Sequence, residues 1–255
     1  MNNMMNKIFF LFVCIVCAVS NRAFAQAATK ADADSAYLKN DYQTAIEIYE
    51  GLLKQGEAAE LYYNLGNSYY KVDNLGKAIL NYERALLLEP GNDDIRTNLQ
   101  IAKGKTIDKV IPVPELFLIS WINVIINVFS MNTWAIIGIC AFFVFLLSLS
   151  FYIWSKRVGL RKIGFFMAVV LLLVVVVSIF FASQQKDRLI NRFNAIVLSP
   201  SITIRSTPSD SGTSLFILHE GHKVVIKDDS MREWKEIVIE DGKVGWIPTS
   251  AIEII

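Results

Sequence analysis

Two uncharged stretches, residues 116–155 and 163–185, constrain this chain more than any other feature, with Lys156, Arg157, Arg161 and Lys162 clustered between them. A helix of about 20 apolar residues matches the ~30 Å hydrocarbon core of a bilayer. Residues 133–154 and 163–183 each reach that length, so the expectation is a transmembrane helical hairpin with a basic turn at 155–162. The positive-inside rule makes that turn cytoplasmic. At 53% hydrophobic residues, the chain carries more apolar side chains than a soluble core requires, and membrane lipid is an expected partner.

Ser120, Asn123, Asn127 and Ser130 recur at helical spacing and draw one polar stripe along an otherwise apolar segment. This favours a helix over 115–131 lying in the membrane interface. A third crossing is the alternative, and it would put the flanking domains on opposite sides. At the N-terminus, Lys7, the apolar run 8–19 and Ala23-Phe24-Ala25 read as a signal peptide over 1–25. Export followed by two crossings gives a multi-pass inner-membrane protein with both soluble domains on the periplasmic side. Cys14 and Cys17 fall inside the signal's apolar run and Cys140 inside the first span, so no disulfide framework is expected.

Neither flanking segment is basic. Residues 26–110 carry 10 Lys/Arg against 13 Asp/Glu, and residues 191–255 carry 7 against 9. Nucleic acid is set aside as a partner, because its binding rests on clustered cations.

Residues 26–110 repeat themselves. Ala45, Tyr49 and Leu52 recur as Ala78, Tyr82 and Ala85, a period of 33, and Asn64-Leu65 recurs as Asn98-Leu99, a period of 34. Both periods suit helix-turn-helix arrays. Over 59–92, the order Tyr62, Leu65, Gly66, Tyr69, Ala78, Tyr82, Ala85, Pro90 resembles the tetratricopeptide repeat. The unit before it is weaker, with Ala33, Ala36 and Tyr37 in its first helix, and Asp93 and Asp94 are expected to cap a further helix. The resemblance implies a concave surface lined by first helices, where Tyr63, Asn67, Tyr70 and Lys71 are candidate peptide contacts or merely a solvated face. Tyr63 stands where the carboxylate-clamp form of the repeat has Lys, which argues against recognition of a C-terminal carboxylate.

After the second apolar run, short alternating segments at 195–198, 202–205, 223–227, 234–239 and 244–247 read as strands. Asp241-Gly242 is a hairpin-turn signal. Ile204-Arg205-Ser206, Pro208-Ser209, Leu218, Gly221, Lys223-Val224, Trp234, Ile237 and Gly245-Trp246-Ile247 resemble the bacterial SH3-like domain in order and spacing, with Thr207 where that family usually has Gly. The resemblance implies an all-β small barrel over 191–255 that binds protein partners or cell-wall peptide. Trp234 and Trp246 are core filler, the favoured reading, or a partner-binding aromatic surface. His219 and His222, near a turn without further ligands, read as solvated. No metal, cofactor or catalytic constellation is expected, and the chain does not read as an enzyme.

The whole arrangement, a multidomain chain of all-α helical repeats, apolar hairpin and all-β domain, is similar to BatE-type proteins of the Bacteroides aerotolerance operon. That resemblance implies a scaffold in a stress-related membrane complex, with von Willebrand factor A domain membrane proteins and a MoxR-type ATPase system as partners. An envelope-stress sensor acting through a membrane partner is the alternative.

Overall fold

The computed structural model describes residues 28–109 and 116–255. The signal-peptide reading and the Cys14/Cys17 pair therefore lie outside the described residues. Among the described residues five helices come first: α1 (Lys30–Leu38), α2 (Tyr42–Leu53), α3 (Ala59–Lys71), α4 (Leu75–Leu88) and α5 (Asp93–Lys105). Each pair is closed by a residue that tolerates left-handed backbone, Asn40 at φ 62° between α1 and α2 and Asp73 at φ 59° between α3 and α4. Side chains supply the helix starts: Thr29 with Asp32 forms a capping box on α1, Asp41 accepts from the Thr44 amide, and Asn74 from the Lys77 amide. The N-cap of α5 is Asn92, which accepts from the Asp94 and Ile95 amides. This corrects the expectation for Asp93 and Asp94, which lie in the first turn, where their charge meets the positive end of the helix dipole.

The repeat core is built from Ala45, Tyr49, Tyr62, Leu65, Tyr69, Ala78, Tyr82 and Ala85, all buried. Gly66 is the point of closest approach between α3 and α4, since a Cβ there would sit 2.7 Å from the Tyr82 ring. Each buried phenol has an acceptor: Tyr49 donates to Asp34, Tyr62 to Glu57, Tyr69 to Glu50 and Tyr82 to Asn67. The rings contribute packing while no hydroxyl is left unpaired.

Among the described residues two helices are long and apolar enough to cross a membrane: α7 (Met131–Trp154) and α8 (Val158–Ile190), preceded by the shorter apolar α6 (Phe117–Ile126). They pack through small residues, Gly138, Ala141 and Ser148 facing Gly164, Ala168 and Ser178, where a Cβ on Gly164 would meet the Ser148 carbonyl oxygen at 2.8 Å. The break between the helices is 155–157, and Arg161 and Lys162 lie inside the first turns of α8. At its other end α8 continues past the apolar run to Ile190, because its polar last turns hold α6. Gln185 donates to the Ile126 and Phe129 carbonyls, and Arg188 to the Asn123 and Asn127 carboxamides. Asn123 and Asn127 of the polar stripe thus bond to α8, while Ser130 caps α7. Phe117, Leu118, Trp121 and Ile122 are left exposed. At 10 residues, α6 is about 15 Å long, half of what a crossing needs.

The C-terminal strands are β1 (Asn194–Val197), β2 (Ser201–Arg205), β3 (Ser214–His219), β4 (Lys223–Asp228), β5 (Trp234–Val238), β6 (Val244–Pro248) and β7 (Ile252–Ile254). They form one antiparallel sheet in the order β3-β2-β6-β5-β4-β1-β7. The ladder is open: β3 and β7 are its edges and do not pair with each other. Gly242, at φ +85°, makes the Asp241-Gly242 turn between β5 and β6. Ala195, Val197, Ile204, Ile237 and Ile247 belong to the core on one face. β1 is buried on both faces, and its Ile196 joins the repeat core together with Ile255.

Candidate functional site

The first helices α1, α3 and α5 line a groove of about 410 Å³ whose walls include Tyr37, Tyr63, Asn67, Tyr70, Lys71 and Asn98. All four repeat residues singled out from the sequence, Tyr63, Asn67, Tyr70 and Lys71, come together here. The groove has an ordered polar floor. Asn67 Oδ1 accepts from the Tyr82 hydroxyl at 2.8 Å and from Asn98 Nδ2 at 2.9 Å, and Asn98 Nδ2 also donates to the Tyr63 hydroxyl at 3.0 Å. Asn67 Nδ2 and Asn98 Oδ1 remain, one donor beside one acceptor, which is the complement of a peptide group. The Lys105 ammonium lies 4.2 Å from the centre of the Tyr70 ring and adds positive charge beside Lys71. Burial raises the Tyr82 phenol, and the Tyr37 phenol more modestly, so both remain neutral donors at neutral pH. The groove thus presents flat rings, carboxamides and two cations.

Tyr37, Tyr82, Asn98 and Ile101 complete the groove; the sequence pointed to the first three only as repeat positions and not to Ile101. The signal that could have found Asn98 was its 34-residue offset from Asn64, which places it on the next first helix. Trp234 and Trp246 line no part of the groove. Both are half-buried, and the strand register sets Trp234 opposite Pro248 and Trp246 opposite Glu236, on the sheet face away from Ile237 and Ile247.

The second helices face the sheet domain. Glu83 of α4 is buried between two lysines, with Lys103 Nζ at 2.6 Å and Lys223 Nζ at 2.7 Å. Burial works against its ionisation, but Lys223 and Lys103 more than offset it and hold the carboxyl below its ordinary range. Arg84 pairs with Glu253 at 2.9 Å. Where α5 gives out, Asp108 accepts from the His219 amide and sits 2.8 Å from His219 Nδ1. His222 packs beside it, with Nδ1 3.5 Å from Asp108 Oδ2. The solvated reading of these histidines is therefore corrected. His222 is 7% exposed, with neither ring nitrogen hydrogen-bonded, and burial pushes its pKa below the ordinary value. Asp108 arrives from the repeat side, 111 residues away in sequence from His219, a contact that no local pattern announces. Among the described residues no group of three or more His, Cys, Asp or Glu side chains is arranged to hold a metal ion.

Comparison with curated proteins finds no match. Residues 59–92, spanning α3, α4 and the Pro90 turn, match the tetratricopeptide repeat family.

Proposed function

We propose that this chain is a non-enzymatic membrane scaffold whose tyrosine-lined groove captures an extended peptide segment of a partner protein. The observation that carries the reading is the spare donor and acceptor of Asn67 and Asn98 on the groove floor, flanked by Tyr63 and Tyr70. Tetratricopeptide repeats generally mediate protein interactions, and α7 and α8 serve as the anchor. Contacts between the repeats and the sheet domain put both on one side of the bilayer, which supports two crossings; the basic residues 156–162 between the spans support the periplasm as that side. An SH3-like reading of the sheet domain rests on the order of residues from Ile204 to Ile247; its ladder is open, not the closed small barrel expected. The resemblance to BatE-type proteins nominates membrane proteins with von Willebrand factor A domains, and their MoxR-type ATPase system, as the company this scaffold keeps in a stress-related complex.

The test is a photo-crosslinking residue at Tyr70 in cells, compared with one at the exposed Gln55. Partner adducts from Tyr70 alone support the groove; equal adducts from both positions, or none, reject it. A reporter active only outside the cytoplasm, fused after Lys109 and separately after Ile255, checks the sidedness. A second reading, binding of cell-wall peptide, is favoured by Trp234 and Trp246 sharing the outer sheet face. Binding of wall peptides that is lost in Trp246→Ala with the groove intact would establish it.

A further inference from the structure

A cavity of about 590 Å³ opens where α4, α5, α8 and the sheet domain meet. Its walls combine Arg96, Arg188 and Lys223 with Glu83 and the apolar Leu87 and Phe193. The charges do not balance. Glu83 is already shared by Lys103 and Lys223, and Arg96 pairs with Asp93, which is largely exposed to solvent. Arg188 is held only by the neutral carboxamides of Asn123 and Asn127 and has no acidic partner within 4.0 Å among the described residues. Those two acceptors fix the guanidinium and leave part of its donor fork unused.

The position matters as much as the charge. Arg188 lies on α8 just beyond the apolar run, and α6, bound to the same turns, exposes Phe117, Trp121 and Ile122. If α8 crosses a bilayer, Arg188 stands at headgroup height. A fixed guanidinium, a second arginine and an apolar wall match a phosphate carried on acyl chains.

We propose that this cavity binds the phosphate of an anionic phospholipid from the adjoining leaflet, bridging Arg188 of the anchor and Arg96 of the repeats. The lipid would tie the repeat domain to the membrane surface. This inference rests on the membrane reading of α7 and α8.

The test titrates the detergent-solubilised full chain with phosphatidylglycerol, phosphatidylcholine or inorganic phosphate and follows adducts by native mass spectrometry. Phosphatidylglycerol is expected to bind about tenfold more tightly than phosphatidylcholine, the scale of one charge-assisted contact. The Arg96→Gln/Arg188→Gln pair should lose that preference, whereas Lys186→Gln, exposed on the same helix and outside the cavity, should keep it. If the pair does not fold, Arg96→Gln alone should weaken binding and the charge-retaining Arg188→Lys should preserve most of it. No preference in the wild type, or an unchanged preference in a folded pair, overturns the proposal. Displacement of the lipid by low millimolar inorganic phosphate overturns lipid as the source. Carbonate extraction separates the two readings: a chain washed from membranes refutes the anchor, and a retained chain without lipid preference refutes only the cavity.

Discussion

The two faces of the repeat helices use polar side chains to opposite ends. On the groove side, tyrosines and carboxamides bond to one another and still present a donor, an acceptor and flat rings outward. On the sheet side, Glu83, Arg84 and Asp108 pair with Lys223, Glu253 and His219 of another domain. A short helical array buries too little to stand with both faces open. Here the sheet acts as the cap on one face, and the other is left open.

The contrast breaks most directly at Glu83. Glu83→Ala leaves Lys103 and Lys223 facing each other at the domain junction. It should cost about 3 kcal/mol, the upper end for hydrogen bonds that involve charged groups, read as a shift in chemical unfolding of the solubilised chain. Groove binding by the fraction still folded should survive. Gly66→Ala strikes the packing beneath both faces. A methyl group 2.7 Å from the Tyr82 ring must displace that ring and its bond to Asn67, so about 2 kcal/mol of stability and partner capture should fall together.

Acid sharpens the comparison from the sheet side. His222 is buried neutral, facing Asp108, Glu240 and Asp241 with Lys103 opposing. Its contribution is fully present above its ordinary value of 6.5 and is lost as pH falls below that value. Glu83 and Asp108, both depressed carboxyls, lose theirs only below the ordinary carboxylate values of 4.5 and 3.8. Unfolding followed downward from about pH 7.5 should therefore show an earlier decline in wild type than in His222→Phe, since this histidine is the buried group that titrates in that window. The smallest effect belongs to the groove. Lys71→Ala should leave stability within about 0.5 kcal/mol while reducing crosslinking from Tyr70; an equal loss of both would mean that the groove is structural.

The repeat helices were legible because their signal is local. A 33-residue period carries Ala45 and Tyr49 onto Ala78 and Tyr82, and the same offset carries Asn40 onto Asp73 at the two helix turns. The hairpin was legible from apolar length alone, but its ends were not. α8 runs to Ile190 because Gln185 and Arg188 find acceptors on α6, and such partners are invisible to hydropathy. The strands could be read from alternation, and one clue to domain docking was present in Ala195-Ile196-Val197, an unbroken apolar run that signals burial on both faces. What that second face touches depends on contacts between segments more than a hundred residues apart. For the same reason His219 and His222 were misjudged, since the chemistry around them comes from Asp108.

The uninterrupted course of α8 has a mechanical consequence. Its 33 residues make a rod of about 50 Å, of which a bilayer core accounts for ~30 Å. The remainder is a stiff lever clamped to the repeats and sheet at its far end. A change in bilayer thickness that tilts the hairpin would not be absorbed at the surface by a slack tether. On the proposed membrane reading it would swing the groove through the same angle, so that the orientation of the groove would follow the state of the membrane.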